Sequence, residues 1–149
     1  MNPLLLKLQA SMPGAPESDQ PRPERRRVGA PRRDTWNLVD RALPPGARLY
    51  CGVWHSQPGR WRIEFGPQES ELFTVLAGRC RVHDEEGGFQ EAGPGEALLI
   101  APGFRGEFEV LEAMAKGGAW SLRRMKLLPR SLRLRSCRCW AALRCPLPS

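Results

Sequence analysis

The feature that most constrains the fold is a series of short alternating segments between Gly59 and Leu111, separated by Gly, Pro and acidic residues. Within residues 60–65, the apolar side chains alternate with charged ones. Apolar residues at every second position are typical of a strand with one buried face. Other strand-like segments occur at residues 48–54, 71–76, 79–83, 89–92 and 106–111, and residues 97–101 form a continuous apolar segment. The spacing predicts about seven short strands, and therefore an all-β sandwich or barrel.

The two ends of the chain differ in composition from this central region. We interpret residues 1–29, rich in Pro and Arg, as a disordered arm, because such a segment cannot bury a core. Residues 30–116 form the predicted domain, and 117–149 a basic tail. Residues 120–149 have eight Lys/Arg and no Asp/Glu, whereas 41–119 have eight and eleven. The tail is therefore predicted to be disordered or not a native part of the domain.

The cysteine count and the lack of long apolar stretches bear on the compartment. The chain has five Cys, an odd number, and no apolar run as long as the ~18 residues of a membrane span. The run Leu4–Leu6 is broken at Lys7 and is too short for a secretory signal. We therefore expect a soluble, cytoplasmic protein with reduced thiols and no membrane partner.

Two motifs carry a resemblance to a known superfamily. The first is Glu71–Gly78 (ELFTVLAG), and the second is Gly95–Gly106 (GEALLIAPGFRG). This region resembles the cupins, in particular the branch of (S)-ureidoglycine aminohydrolase-like cupin domains. The resemblance covers about residues 30–116, although Ala101 stands where the family has Pro. It implies a single small, jelly-roll-like cupin β-barrel.

The resemblance also implies where a metal would bind. Metal-binding cupins have two His just before the first-motif glutamate and one His after the second-motif glycine. The corresponding positions here are Phe65, Pro67 and Gly106, so that only Glu71 is kept. One carboxylate does not hold a transition metal tightly. We therefore predict no metal and no cofactor.

Glu71 is the candidate catalytic residue. A carboxyl group buried in an apolar barrel is suited to general acid or base chemistry. The alternative is a structural ion pair with Arg62 or Arg105. The predicted ligand-binding residues around Glu71 are Trp61, Phe65, Phe73, Arg105 and Phe108.

The other chemically active residues favour structural roles. His55 and His83 are predicted to lie at the surface, and Cys51 and Cys80 to be small buried side chains. The triplet Cys137, Cys139 and Cys145 is a poor zinc site, because zinc usually takes four ligands at wider spacing.

Three functions remain open, and whether the protein is an enzyme is undecided. The first is a metal-free cupin that binds a small polar metabolite in the barrel. The second, implied by the resemblance, is an aminohydrolase that releases ammonia from a ureido compound. The third is nucleic-acid or partner binding through the tail, although the mildly acidic body makes nucleic acid the weaker alternative. The resemblance also implies a homodimer.

Overall fold

The computed structural model describes residues 5–43 and 46–123, and these residues are almost entirely β-structure. They form one 3-10 turn, Pro23–Arg25, and nine strands: β1 Glu17–Asp19, β2 Arg26–Val28, β3 Arg33–Leu43, β4 Ala47–Ser56, β5 Gly59–Glu64, β6 Glu69–Asp84, β7 Phe89–Ala92, β8 Ala97–Ile100 and β9 Arg105–Arg123. The predicted all-β class is confirmed. Within these residues there is no helix long and apolar enough to cross a membrane.

Strand β9 lies at the centre of a curled antiparallel sheet. Its first part pairs with β5 on one side and with the end of β6 on the other. Its last part pairs with β4 and with the beginning of β6. Strands β7 and β8 add to β6, and the other path through the sheet runs β1-β3-β4-β9-β5-β2. The curl makes a half-barrel whose concave face holds the core.

Many of the buried side chains are those that the alternation predicted. Phe73, Val75 and Cys80 are at most 1% exposed, and Phe108 and Val110 are nearly as buried. In β6 the buried positions change from odd to even numbers, because the pairing with β9 shifts register between Val75 and Cys80. These shifts bend the strand so that both of its halves face the same core.

The turn between β6 and β7 also forms as predicted. The carboxylate of Asp84 accepts hydrogen bonds from the backbone N–H groups of Glu86 and Gly88, at 2.9 and 2.8 Å. Gly87 between them has φ +94°, a conformation that glycine adopts without steric cost. Side-chain capping of this kind ends one strand and begins the next.

Part of the N-terminal arm corrects the prediction that residues 1–29 are disordered, because strands form between residues 17 and 28. β1 pairs with β3 and β2 pairs with β5, each along the outer edge of the sheet. Ion pairs Arg33–Asp19 and Arg27–Glu107 support the two strands. A polar segment can be ordered in this way because an edge strand needs backbone hydrogen bonds rather than a core of its own.

The domain boundary at residue 116 is a second correction. β9 continues to Arg123, and in an unbroken register residues 117–123 pair with β4 and residues 117–122 pair with β6. The change in composition after residue 116 therefore does not mark the end of the folded domain, since the strand continues through it. The rest of the tail, including Cys137, Cys139 and Cys145, lies outside the described residues.

Candidate ligand-binding site

The concave face of the sheet encloses a cavity of about 550 Å³. Its walls come from β1, β3, β4, β5, β6, β8 and β9, so that most of the sheet contributes. The side chains that define its chemistry are Asp19, Arg33, Trp54, Trp61, Phe65, Glu71, Phe73, Phe108, Lys116 and Trp120. Cavities of this size are typical of sites for small molecules.

Four aromatic rings form a continuous wall of the cavity. Trp61 stacks on Phe108 with ring centres 5.4 Å apart, and Trp54 meets Phe108 edge-on at 5.7 Å. Phe73 completes the group at 5.9 Å from Phe108. These are the offset and edge-to-face distances that aromatic pairs prefer. The wall is therefore a rigid apolar surface with Phe108 at its centre.

A lysine–glutamate pair lies against this wall. The Nζ atom of Lys116 donates a hydrogen bond to Oε1 of Glu71 at 2.5 Å. The side chains keep 11% and 21% of their surface exposed, respectively, so both are largely removed from water. Nζ also lies 4.3 Å from the ring centre of Phe73, with Trp54 and Phe108 at 4.8 and 5.0 Å. One carboxylate and three ring faces therefore surround one ammonium group.

A second charged group joins the N-terminal arm to the cavity. Two nitrogens of Arg33 donate to the two oxygens of Asp19 in β1, at 2.8 and 2.5 Å. The guanidinium also lies 5.5 Å from the ring centre of Trp61. The arm that was predicted to be disordered therefore contributes one edge of the cavity.

The structure brings together five of the six predicted site residues. Trp61, Phe65, Glu71, Phe73 and Phe108 all line the cavity. Arg105 does not, and this corrects its predicted place in the site. Its side chain is 51% exposed and pairs with Glu64 outside the cavity, because β9 turns alternate side chains to opposite faces. Glu71 pairs with Lys116, and not with Arg62 or Arg105 as the predicted alternative had it.

Lys116 is the functional candidate that sequence reasoning missed. Position 116 has the same parity as Phe108 and Val110, so the alternation of β9 placed it on the inner face. The predicted domain ends at residue 116, and this boundary hid the signal. Arg33 and Trp54 carry no comparable signal, since their place in the cavity depends on the curl of the sheet.

The residues present do not fit the metal that the fold family implies. The side chains of Phe65 and Pro67 have no atom that can bind a metal, and the Glu71 carboxylate already accepts a hydrogen bond from the Lys116 ammonium group. At Gly106 an added Cβ would lie 1.9 Å from the backbone oxygen of His83, so this backbone has no room for a histidine there. Among the residues described, no group of three or more His, Cys, Asp or Glu could hold a metal ion.

Neither histidine lines the cavity, whereas Cys51 does and Cys80 packs in the core with Phe73 and Phe108. Nε2 of His55 is 2.6 Å from the backbone oxygen of Ala10, and Nε2 of His83 is 2.7 Å from a carboxylate oxygen of Glu109. Both histidines are partly buried rather than at the open surface, which corrects their expected placement. Cys80 is fully buried, as predicted, whereas Cys51 is half-buried. Burial raises the pKa of the Cys80 thiol to about 11.

Solved structures align with parts of this chain. A DUF861-family protein of unknown function from Pseudomonas syringae pv. tomato aligns with 76% of this chain at a TM-score of 0.64 and 22% identity. The chain spans only 46% of that protein's length. EutQ from Clostridium difficile aligns with 62% of this chain, over 68% of its own, at a TM-score of 0.49 and 20% identity. At 22% identity, the likeness to the Pseudomonas protein shows the fold alone.

Sequence comparison gives the family. No curated protein matches the chain. The model of the EutQ-like cupin domain matches residues 43–117, from the end of β3 into β9. The match includes both motifs, the aromatic wall and the Lys116–Glu71 pair, and it covers just over half of the 149 residues. The chain therefore belongs to the family of EutQ-like cupin domains.

Proposed function

We propose that this cupin domain binds a small polar metabolite in its barrel without using a metal. The observation that carries the proposal is the Lys116–Glu71 pair on the aromatic wall of a cavity of about 550 Å³. Ligand sites are commonly apolar cavities with a few convergent polar groups, and this cavity has that composition.

The chemistry of the walls describes the ligand. Trp61 and Phe108 offer a flat apolar surface on which a planar or aliphatic part of a molecule can lie. Lys116 offers hydrogen-bond donors and Glu71 offers acceptor oxygens. A ligand that carries both an acceptor and a donor can bind between these two groups while its apolar part covers the rings.

The aminohydrolase alternative rests on resemblance to a branch of the family. Its chemistry would require a metal. The positions where the metal ligands would lie are Phe65, Pro67 and Gly106, and their side chains have no atom that binds a metal. Measuring the metal content of the purified protein tests this alternative directly, since one equivalent of manganese, zinc or iron per chain would support it. The basic-tail alternative depends on residues 124–149, which lie outside the described region, and the homodimer and cytoplasmic location likewise stay predictions.

Thermal unfolding in the presence of a panel of small metabolites tests the proposed function. A ligand at a hundred times its Kd stabilises the folded state by about 2.7 kcal/mol, which raises the Tm measurably. We expect at least one compound of the panel to raise the Tm of the wild-type chain, and calorimetry to give one site.

Two variants locate the binding. Lys116→Met removes the ammonium group from the cavity and should abolish the shift, whereas Arg105→Ala, outside the cavity, should keep it. The proposal would be overturned if no compound raised the Tm, or if Lys116→Met bound as well as the wild type.

A further inference from the structure

The lysine content of this chain makes position 116 unusual. The chain contains three lysines, Lys7, Lys116 and Lys126, against 20 arginines. Lys7 is exposed at the surface, whereas Lys116 is 9% exposed inside the cavity. Guanidinium and ammonium groups both serve as cations, but of the two only the amine forms imines with simple carbonyl compounds. A lysine in the cavity of an arginine-rich chain therefore calls for an explanation beyond charge.

The surroundings of Nζ combine apolar rings, an adjacent base and open space. Apolar rings of Trp54, Phe73 and Phe108 lie on several sides of it and displace water. Oε1 of Glu71 is 2.5 Å away and can take a proton from it. The rest of the cavity is open space next to these groups. Desolvation in an apolar pocket and an adjacent base are two of the ways in which proteins activate a nucleophile.

We infer that Lys116 captures small aldehydes or ketones in the cavity as an imine, with Glu71 carrying the proton. This inference rests on the proposed function, because it names a class of ligand for the same cavity. A carbonyl compound with a short apolar body fits both the aromatic wall and the amine.

The step balances without any oxidant or reductant. Glu71 takes a proton from the Lys116 ammonium, and the freed lone pair on Nζ attacks the carbonyl carbon. The carbonyl π electrons move to oxygen, which takes up a proton from Nζ to give the neutral carbinolamine. Glu71 then returns its proton to the hydroxyl group, the C–O bond breaks, and water leaves with formation of the C=N bond. The net reaction converts an ammonium ion and a carbonyl compound into a protonated imine and water.

The ring faces stabilise both the reactant and the product of this reaction. The reactant ammonium and the product iminium each carry one positive charge at the same nitrogen. The rings of Trp54, Phe73 and Phe108, together with the Glu71 carboxylate, can therefore stabilise either species. A site that already holds a cation needs little rearrangement to hold the iminium, since the charge does not move.

Reductive trapping on the full chain tests this inference. The folded protein is incubated with benzaldehyde or, separately, with glyoxylate, and cyanoborohydride then reduces any imine to a stable secondary amine. Peptide mass mapping reports the extent of labelling at each of the three lysines. We expect benzaldehyde to label Lys116 before Lys7 or Lys126, and to label it faster than glyoxylate does. Equal labelling of all three lysines would overturn the inference.

Three variants sharpen the trapping experiment. Lys116→Arg keeps the cation and should lose the fast labelling, whereas Lys7→Arg is the matched surface control and should keep it. Glu71→Gln removes the proton carrier and should slow the labelling at Lys116 by about a hundredfold, the size of a general acid–base contribution. Unchanged labelling kinetics in Glu71→Gln would refute the role of Glu71.

The trapping result is separable from the proposed function. If calorimetry shows metabolite binding that Lys116→Met abolishes, while no adduct forms at Lys116, then the nucleophile inference fails and the proposed function stands. If neither binding nor an adduct is found in the wild-type chain, both fail.

Discussion

The two faces of the curled sheet use ion pairs in opposite ways. The outer face carries several, such as Glu91 with Arg79 and Arg81, whose side chains are 30–43% exposed. The cavity wall on the inner face carries Lys116–Glu71, exposed by 11% and 21%, against aromatic rings. In the outer pairs, each charged group replaces contacts with water by contacts with its partner, and the net gain in stability is small. The inner pair loses its hydration and has few alternative partners.

This difference separates stability from function in the molecule. Outer pairs can be lost with small consequences, because water solvates whichever partner is left. Loss of one inner partner leaves a desolvated charge, so the pair is costly to keep and costly to break. Groups retained at such a cost are candidates for function rather than for stability.

The largest effect is expected from the apolar part of the inner face. Phe108→Ala removes the ring at the centre of the aromatic wall, and the free energy of unfolding should fall by about 3–5 kcal/mol. Phe89→Ala is the matched control, since Phe89 lies on the outer face and is 51% exposed. Chemical denaturation measures both variants. A loss in Phe89→Ala as large as in Phe108→Ala would contradict the assignment of the two faces.

The inner ion pair should rank second. Glu71→Gln leaves the Lys116 ammonium without its counter-charge, and we expect a loss on the order of 2–3 kcal/mol, somewhat below the value for a fully buried pair. Adding Lys116→Met to this variant should restore much of the lost stability. Glu91→Gln on the outer face serves as the control and should change little. Equal losses in Glu71→Gln and Glu91→Gln would remove the distinction between the faces.

A smaller, pH-dependent effect is expected from Glu107 on the outer face. Partial burial raises the pKa of its carboxyl group, but hydrogen bonds from Arg27 and Arg60 outweigh this and hold the pKa below its usual 4.5. A lowered pKa in the folded state means that the stabilisation is complete above pH 4.5 and is lost as the pH falls through the folded value.

The contribution of Glu107 should stay below about 1 kcal/mol and shrink in high salt. Unfolding free energies measured across the acid range for the wild type and Glu107→Gln check this. The two curves should converge at low pH and separate toward neutrality. A constant difference across the whole range would show that the carboxylate charge is not the cause.

The smallest effect concerns reactivity rather than stability. Burial raises the thiol pKa of Cys80 to about 11 and also raises that of Cys51, which is less buried. Since the thiolate is the reactive form, iodoacetamide at mildly alkaline pH should modify Cys51 slowly and Cys80 only on unfolding. Peptide mapping of the alkylated protein distinguishes the two sites. Rapid modification of Cys80 in the folded chain would place it outside the core.

Most of the barrel could be predicted from local patterns. Alternation placed Trp61, Phe73 and Phe108 on the buried face, and the glycines and Asp84 marked turns that formed. The arm and the last part of β9 could not be predicted in this way. Residues 17–28 are ordered by pairing to sheet edges, and residues 117–123 by neighbours in β4 and β6, which no local composition reports.

The candidate site, like the fold, has a part that local sequence patterns predicted and a part that they did not. The sequence alone placed Trp61, Glu71 and Phe73 on the inner face, because a strand sends alternate side chains to opposite faces whatever the rest of the chain does. Its motifs also showed that the usual metal-ligand positions lack donors. Only the tertiary structure decided that Glu71 pairs with Lys116, 45 residues away, rather than with Arg105. Contacts of that separation depend on how the sheet curls, and the curl is a property of all the strands together.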